Sequence, residues 1–166
     1  MNLTMPRVVL FWDIDGTLLL TGRAGIPALE GAAREIAGRE VDLTGMRTAG
    51  LTDGGIVSMV LEDLGVEPTP ARVETMLRSY EDKLPRHMKE ADTGQVMPNV
   101  RAILDSLAER DDVLNLLLTG NTEAGAAVKL AHFGLDSYFS GGAFSVDAAP
   151  REEIAPRGRA LARELL

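Results

Sequence analysis

The chain has 166 residues, enough for one domain or for one core with an insertion. Hydrophobic residues make up 45% and charged residues 25%, a composition typical of globular proteins and not of disordered ones. With 17 Lys and Arg against 25 Asp and Glu, the formal charge is −8, which argues against nucleic-acid binding because that needs a basic face. The lack of Cys excludes disulfides and thiolate metal sites and fits a reducing cytoplasm. No apolar run reaches membrane-spanning length, so we expect no membrane partner.

The first predicted elements are one strand followed by a helical block. Residues 8–12 form a continuous β-branched and aromatic run, which predicts a strand buried on both faces, and acids with a Gly mark a turn directly after it. Three segments then show helical periodicity, at residues 26–36, 56–64 and 73–84. Because no strand is predicted between residues 22 and 90, we expect this insert to be all-helical.

The second half of the chain alternates between helices and strands. The pattern predicts a helix over 100–107, a buried strand over 113–118, a helix over 124–133, a short strand over 143–146 and a last helix over 151–165. Such alternation predicts βαβ units, and so an α/β fold with a Rossmann-like parallel sheet of about three strands. We assign residues 1–20 and 93–166 to this core and residues 21–92 to the helical insert.

Two acids and a threonine follow the predicted strands, where ligands of open parallel sheets bind. Asp13 and Asp15 come directly after the first strand, and Thr119 follows the second. Two carboxylates this close repel each other unless a cation intervenes, and Mg²⁺ prefers such oxygen ligands. One carboxylate can attack phosphorus while a second acts as general acid and base. Gly16 lets the backbone approach a ligand and Thr17 adds a hydroxyl, although Asp-x-Asp-Gly alone is most often a turn.

Together these segments resemble motifs of the haloacid dehalogenase superfamily, whose members are mostly phosphatases. Residues 11–18 match a hydrophobic strand followed by Asp-x-Asp-Gly-Thr-Leu, and residues 116–121 match a second strand that ends in Thr. The insert 21–92 resembles the α-helical cap that one subclass places after the first motif. The resemblance implies that Asp13 is the nucleophile and a Mg²⁺ ligand. It also implies that Asp15 is the general acid and base and gives the metal its backbone carbonyl.

The resemblance places phosphate binding at the end of the second strand. Thr119 would hydrogen-bond the transferring phosphoryl group, and Gly120 and Asn121 lie at the N-terminus of the next helix, whose amides would assist. Asp15 favours phosphoryl transfer over dehalogenation, because an alkoxide leaving group needs a proton and a halide does not. The implied function is a Mg²⁺-dependent phosphohydrolase that acts on a small phosphorylated metabolite through an aspartyl-phosphate.

The third motif of the superfamily is a Lys or Arg that neutralises the phosphate charge and orients the nucleophile. Lys129 is one candidate, because it lies among apolar neighbours on the helix after the second motif. Arg151 is the other, at the start of the last helix, where many members place their Lys. In the insert, Thr52 and Asp53 are candidates for substrate contact, although helix capping is the simpler explanation of both. Further candidates there are Thr21, Arg23 and Arg47.

Members of the superfamily complete the Mg²⁺ site with an acidic pair at the end of a further strand. No such strand is predicted after Thr119, so we expect a C-terminally truncated chain with impaired activity. Residues 8–12 would then have an open apolar edge, through which copies of the chain could associate. A non-catalytic interaction protein on a degenerate hydrolase fold and a phosphomutase are the alternatives. The insert contains no motif that identifies the substrate.

Overall fold

The computed structural model describes residues 8–146 and 149–166. Its elements in chain order are β1 (Val8–Trp12), β2 (Leu19–Leu20), α1 (Gly25–Ala37), α2 (Asp53–Asp63), α3 (Pro70–Glu90), β3 (Gln95–Val96), α4 (Val100–Ala108), β4 (Val113–Leu118), α5 (Glu123–His132), β5 (Gly142–Ala143) and α6 (Ile154–Leu165). Single 3-10 turns at Asp136–Tyr138 and Arg151–Glu153 precede β5 and α6. This order confirms the predicted α/β class. The first seven residues of the predicted core lie outside the described part of the chain.

The central sheet has three parallel strands in the order β1-β4-β5, which confirms the predicted parallel sheet. The middle strand, β4, is apolar along most of its length because neighbours cover both of its faces. Trp12 pairs with Leu117, so β1 and β4 end at the same level. The indole Nε1 of Trp12 also donates to Oδ1 of Asn115 at 3.0 Å, which ties the two strands together. The sheet therefore brings Asp13 and Thr119 to one edge.

The third strand is shorter than the predicted strand over residues 143–146 and begins one residue earlier. Its Ala143 carbonyl accepts from the N–H of Thr119 at 3.1 Å, but beyond it the chain leaves the sheet. The N–H of Ser145 instead donates to the carbonyl of Asn121 at 2.8 Å, in the loop after β4. The segment after β5 therefore follows the loop that carries the predicted phosphate-binding residues.

Helices α1, α2 and α3 form a helical unit between β2 and β3, as predicted for the insert. Ala28 and Ala32 on α1 are fully buried in one apolar cluster with Met76 and Leu84 of α3, and such small side chains allow close helix packing. β2 and β3 pair antiparallel at the base of this unit, where they join the entering and leaving chain segments. This pair was not predicted, because two-residue strands have no periodicity to detect.

The longest helix, α3, spans 21 residues and packs on both α1 and α5. It is amphipathic, with a buried stripe that runs from Val73 to Met88 and charged residues elsewhere. Through α5 it connects the helical unit to the edge of the sheet where the acids lie. None of the described helices, α3 included, combines the length and apolarity that a membrane crossing requires.

Candidate active site

The turn after β1 directs two acids into a cavity and one apolar residue into the core. Ile14 is fully buried, whereas Asp13 and Asp15 on either side of it line the cavity. Gly16 has a φ of +78°, and its N–H donates to the carbonyl of Leu19 at 2.9 Å to close the turn. Gly adopts this φ at little cost, so the Gly of the motif sets the direction of both carboxylates.

Asp13 has one cationic partner among the described residues, Arg151. Nη2 of Arg151 lies 3.3 Å from Oδ2 of Asp13, and both side chains are partly exposed. Oδ1 of Asp13 accepts from the N–H of Ile14 at 2.8 Å. The arginine comes from the 3-10 turn before α6, so the C-terminal segment supplies the cation beside this carboxylate.

Asp15 belongs to a different network, which is centred on Lys129. Nζ of Lys129 donates to Oδ1 and Oδ2 of Asp15, at 3.0 and 2.8 Å, and to Oδ1 of Asn121. Nδ2 of Asn121 donates to Oδ2 of Asp15 at 2.8 Å and to Oγ1 of Thr119 at 2.7 Å. Thr119, Asn121 and Lys129 are all buried. Both ends of the Asn121 amide are therefore used, and the amide links three of the predicted site residues.

A second polar cluster connects the helical unit to the N-terminus of α5. Oδ2 of Asp53, the first residue of α2, accepts from the N–H of Thr122 at 2.9 Å. The N–H of Asp53 donates to the carbonyl of Gly120 at 2.8 Å. Oγ1 of Thr122 caps α5 by accepting from the N–H of Gly125 at 3.1 Å, and the same hydroxyl donates to Glu81 on α3. Two helices of the insert are thus hydrogen-bonded to the loop after β4.

Burial dominates the electrostatics of this cluster. It raises the pKa of the Asp53 carboxyl above its ordinary value, while the positive charge of Lys129 and the hydrogen bond from Thr122 act in the opposite direction. Burial also raises the pKa of the neighbouring Tyr80 well above its ordinary value, and the charge of Asp53 adds to that rise. The α5 side of the cavity is therefore poorly solvated.

Gly120 lies where the helical unit approaches the sheet. A Cβ on this residue would lie 2.8 Å from Nη1 of Arg151 and 2.8 Å from the carbonyl oxygen of Leu51. No side chain fits without movement of the Leu51 backbone. The glycine after Thr119 therefore allows the close contact between the second strand end and the loop before α2.

Two predicted candidates do not line the cavity. Thr52 is buried and its Oγ1 accepts from the N–H of Gly55 at 3.0 Å, so it is the N-cap of α2, as the capping explanation has it. Thr17 is exposed on the turn after β1. Asp53 both begins α2 and lines the cavity, so capping does not account for all of its contacts.

The cavity has a volume of about 880 Å³ and lies between the strand ends and the helical unit. Twelve of the predicted site residues line it: Asp13, Asp15, Gly16, Thr21, Arg23, Arg47, Asp53, Thr119, Gly120, Asn121, Lys129 and Arg151. Glu81 and Tyr80 also support the site but were not predicted. Both occupy regular positions of an amphipathic helix, so nothing in the local sequence distinguishes them from ordinary surface and core residues.

The donor set fits a partly hydrated divalent cation. Within residues 8–146 and 149–166 no group of three or more His, Cys, Asp or Glu side chains could hold a metal ion. Mg²⁺, however, is commonly held by one or two carboxylates, with waters and substrate phosphate as its remaining ligands. The carboxylate of Asp13, with the backbone carbonyl of Asp15 beside it, meets that smaller requirement.

A model of the haloacid dehalogenase-like hydrolase family matches residues 8–166. The chain belongs to this family. The match covers β1, the helical unit, β4 and the segment that carries Arg151, so the resemblance of the two strand-end motifs to this family is confirmed.

Several solved structures share the fold of this chain. A protein from Clostridium acetobutylicum described as a predicted phosphatase has a TM-score of 0.67 at 17% identity, covering 96% of this chain and 72% of its own. CbbY from Rhodobacter sphaeroides in complex with phosphate has a TM-score of 0.69 at 17% identity, with 95% and 73% covered. A hydrolase from Pseudomonas syringae gives 0.63 at 16% identity, with 95% and 69% covered. No curated protein sequence matches the chain.

Proposed function

We propose that this hydrolase is a Mg²⁺-dependent phosphatase that removes the phosphoryl group from a small phosphomonoester through an aspartyl-phosphate on Asp13. The observation that carries the proposal is the convergence of Asp13, Asp15 and Thr119 on one cavity. Each carboxylate there has its own cation, so two acids can remain close together without a large repulsion. The same chemistry serves a phosphomutase, which differs only in what accepts the phosphoryl group.

Two displacements at phosphorus complete the reaction. In the first, a carboxylate oxygen of Asp13 attacks phosphorus, the bond from phosphorus to the ester oxygen breaks, and protonated Asp15 gives its proton to the leaving alkoxide. In the second, Asp15 takes a proton from water as the water oxygen attacks phosphorus. The bond from phosphorus to Asp13 then breaks and inorganic phosphate leaves, which restores both residues.

The surrounding residues have distinct tasks in this proposal. The hydroxyl of Thr119 and the backbone N–H of Gly120, on two residues that line the cavity, would donate to the phosphoryl oxygens. Lys129 holds the carboxylate of Asp15 from the buried side, through contacts of 2.8 and 3.0 Å. Arg151 contacts Asp13 and orients the nucleophile. The third-motif role thus divides between two cations, one for each acid.

Hydrolases of this family generally use Mg²⁺. The Asp13 carboxylate and the Asp15 backbone carbonyl would hold it, together with waters and the substrate phosphate. When bound, the ion would offset negative charge on the phosphoryl oxygens. Because the described residues contribute so few metal ligands, we expect weak Mg²⁺ binding and slow turnover by this chain.

The direct test is hydrolysis of an aryl phosphate with and without Mg²⁺. We expect slow but measurable turnover that needs the ion, and a fall of at least about a thousandfold in Asp13→Asn, because the nucleophile is lost. Thr17→Ala is the matched control, since Thr17 lies on the same turn but outside the cavity, and it should retain the wild-type rate. Turnover that survives in Asp13→Asn would contradict the proposal.

A non-catalytic interaction protein is the rival function, and a binding measurement separates the two. Beryllium fluoride with Mg²⁺ mimics a phosphoryl group on a carboxylate. Fluorine NMR should detect a bound fluoroberyllate in the wild type and none in Asp13→Asn. If the wild type shows neither this signal nor hydrolysis, the interaction protein is the better description.

A further inference from the structure

The cavity beside Asp13 contains more positive charge than its acids account for. Four cationic residues line it: Arg23, Arg47, Lys129 and Arg151. Three carboxylates line it as well: Asp13, Asp15 and Asp53. The distribution is uneven, because all three acids lie against the strand ends or the loop after β4.

Two of the four cations are paired and two are not. Lys129 and Arg151 form ion pairs with Asp15 and Asp13. Across the described residues, Arg23 and Arg47 have no carboxylate within salt-bridge distance.

The backbone holds Arg23 at the cavity. Its φ is +66°, a left-handed conformation that is uncommon for residues other than Gly and that clusters at ligand sites. Its Nη2 donates to the carbonyl of Thr44 at 2.5 Å, which fixes one edge of the guanidinium. The other edge is left for a ligand. Arg47, three residues beyond Thr44, lines the same cavity and is exposed.

Neither arginine is needed for the phosphoryl group itself. The proposed phosphoryl position beside Asp13 already has Thr119, Gly120 and Arg151. Arg23 and Arg47 come from the helical unit, and apolar side chains, among them Ile26 and Ile56, line the cavity with them. A ligand in this part of the cavity would contact apolar side chains and a second pair of cations, Arg23 and Arg47.

We infer that the substrate is a phosphomonoester with a second anionic group, a carboxylate or another phosphate, which binds Arg23 and Arg47. The inference rests on the proposed phosphatase function, because the phosphoryl group fixes the other end of the substrate. Guanidinium groups suit either anion, since their paired N–H donors match the oxygens of carboxylate and phosphate.

Phosphonates test this without turnover, because their carbon–phosphorus bond is not hydrolysed. Calorimetry with Mg²⁺ would compare ethylphosphonate with 3-phosphonopropionate and with propane-1,3-bisphosphonate. We expect at least one of the two longer ligands to bind at least about tenfold more tightly than ethylphosphonate. The preferred one identifies the second anion as carboxylate or phosphate.

Substitutions of the two arginines test whether they cause the tighter binding of the longer phosphonates. Arg47→Gln and Arg23→Gln should each reduce the ratio of the dissociation constants severalfold. Arg39→Gln is the matched control, because Arg39 is an exposed arginine of the same helical unit outside the cavity, and it should keep the wild-type ratio. An equal loss in all three variants would indicate a general charge effect and overturn the inference.

The outcomes also separate this inference from the proposed function. If ethylphosphonate binds as tightly as both longer ligands, while Asp13→Asn abolishes hydrolysis, the phosphatase proposal stands and the second anion is wrong. If none of the three phosphonates binds, the second anion is wrong, and the phosphatase proposal fails with it where Asp13-dependent hydrolysis is absent as well. Since Arg47 is exposed, loss of folding is not expected to obscure the comparison, and thermal unfolding of each variant checks this.

Discussion

The two acids of the site are both partly exposed, Asp15 at 48% and Asp13 at 38%, but the cations that pair with them lie in opposite environments. Asp15 pairs with Lys129, whose side chain is 7% exposed, and Asn121 and Thr119 continue the network into the protein. Asp13 pairs with Arg151 through one contact of 3.3 Å, and these side chains are 38% and 45% exposed. One cation is thus part of a buried hydrogen-bond network, and the other is open to solvent.

The difference shows that ion pairs of the same kind can have two roles: one holds a carboxylate in place, and the other lets it rearrange. If a buried cation with several hydrogen bonds moved away, its partners would be left buried without hydrogen bonds. Because this is costly, the cation holds its carboxylate partner in place. An exposed pair contributes little to stability and rearranges at little cost. We therefore expect the Lys129 side to be preorganised and the Arg151 side to adjust when a phosphoryl group arrives at Asp13.

Of the two ion pairs, the larger expected effect comes from Lys129→Met, which would remove the buried cation. Oδ1 of Asn121 would lose its donor in a buried position, and Asp15 would lose its cation. We expect the free energy of unfolding to fall by about 1–3 kcal/mol. This loss is smaller than that for a fully buried ion pair because Asp15 is half exposed. Urea denaturation measures the stability, and phosphatase assays should show kcat reduced roughly a hundredfold.

Arg151→Met is the matched control for that substitution, because it removes the solvent-exposed cation that pairs with Asp13. Its stability should change by less than about 0.5 kcal/mol, because the pair it breaks is solvated. At low salt we expect kcat/KM of the wild type to exceed that of the variant roughly tenfold. This ratio should decrease as the salt concentration is raised, because salt screens exposed charges. The Lys129→Met ratio should change much less with salt. Equal salt dependence of the two ratios would contradict the contrast between the sites.

The sequence predicted the residues of both pairs but not their partners. Asp13, Asp15 and Thr119 were found because a strand end is a local feature, and parallel strands bring such ends together. Whether Lys129 or Arg151 faced the nucleophile depends on how α5 and the 3-10 turn before α6 pack on the sheet. That packing joins residues more than a hundred positions apart, such as Lys129 with Asp15, and leaves no trace in the local pattern.

The fold shows the same division. Helical periodicity predicted the helices of the insert, and continuous apolar runs predicted the two long strands. Neither pattern predicted β2 and β3, which are two residues each, or the loss of strand pairing at Ser145. The role of Asp53 was also open, since a residue that begins a helix looks the same whether or not its carboxylate reaches across to Thr122.

The smallest expected effect concerns the low solvation of the α5 side of the cavity. The pH dependence of stability that Asp53 contributes is a measure of it. Burial raises the pKa of its carboxyl above the ordinary value of 3.8 that applies in the unfolded chain. Between the two values the folded protein binds a proton that the unfolded chain does not, so stability from this group falls as the pH rises. The cost of the ionised carboxylate is fully present above the folded pKa and disappears below the unfolded one.

Asp53→Asn removes this titration and leaves the other groups in place. We expect the stability of the wild type relative to Asp53→Asn to improve as the pH is lowered from 7 toward 4, measured by urea denaturation of both proteins at each pH. If Lys129 and Thr122 outweighed burial, the pKa would be lowered instead, and the wild type would lose relative stability over the same range. A gap that stays constant with pH would mean that the α5 side is solvated, which would remove the physical basis for treating the Lys129 network as the rigid half of the site.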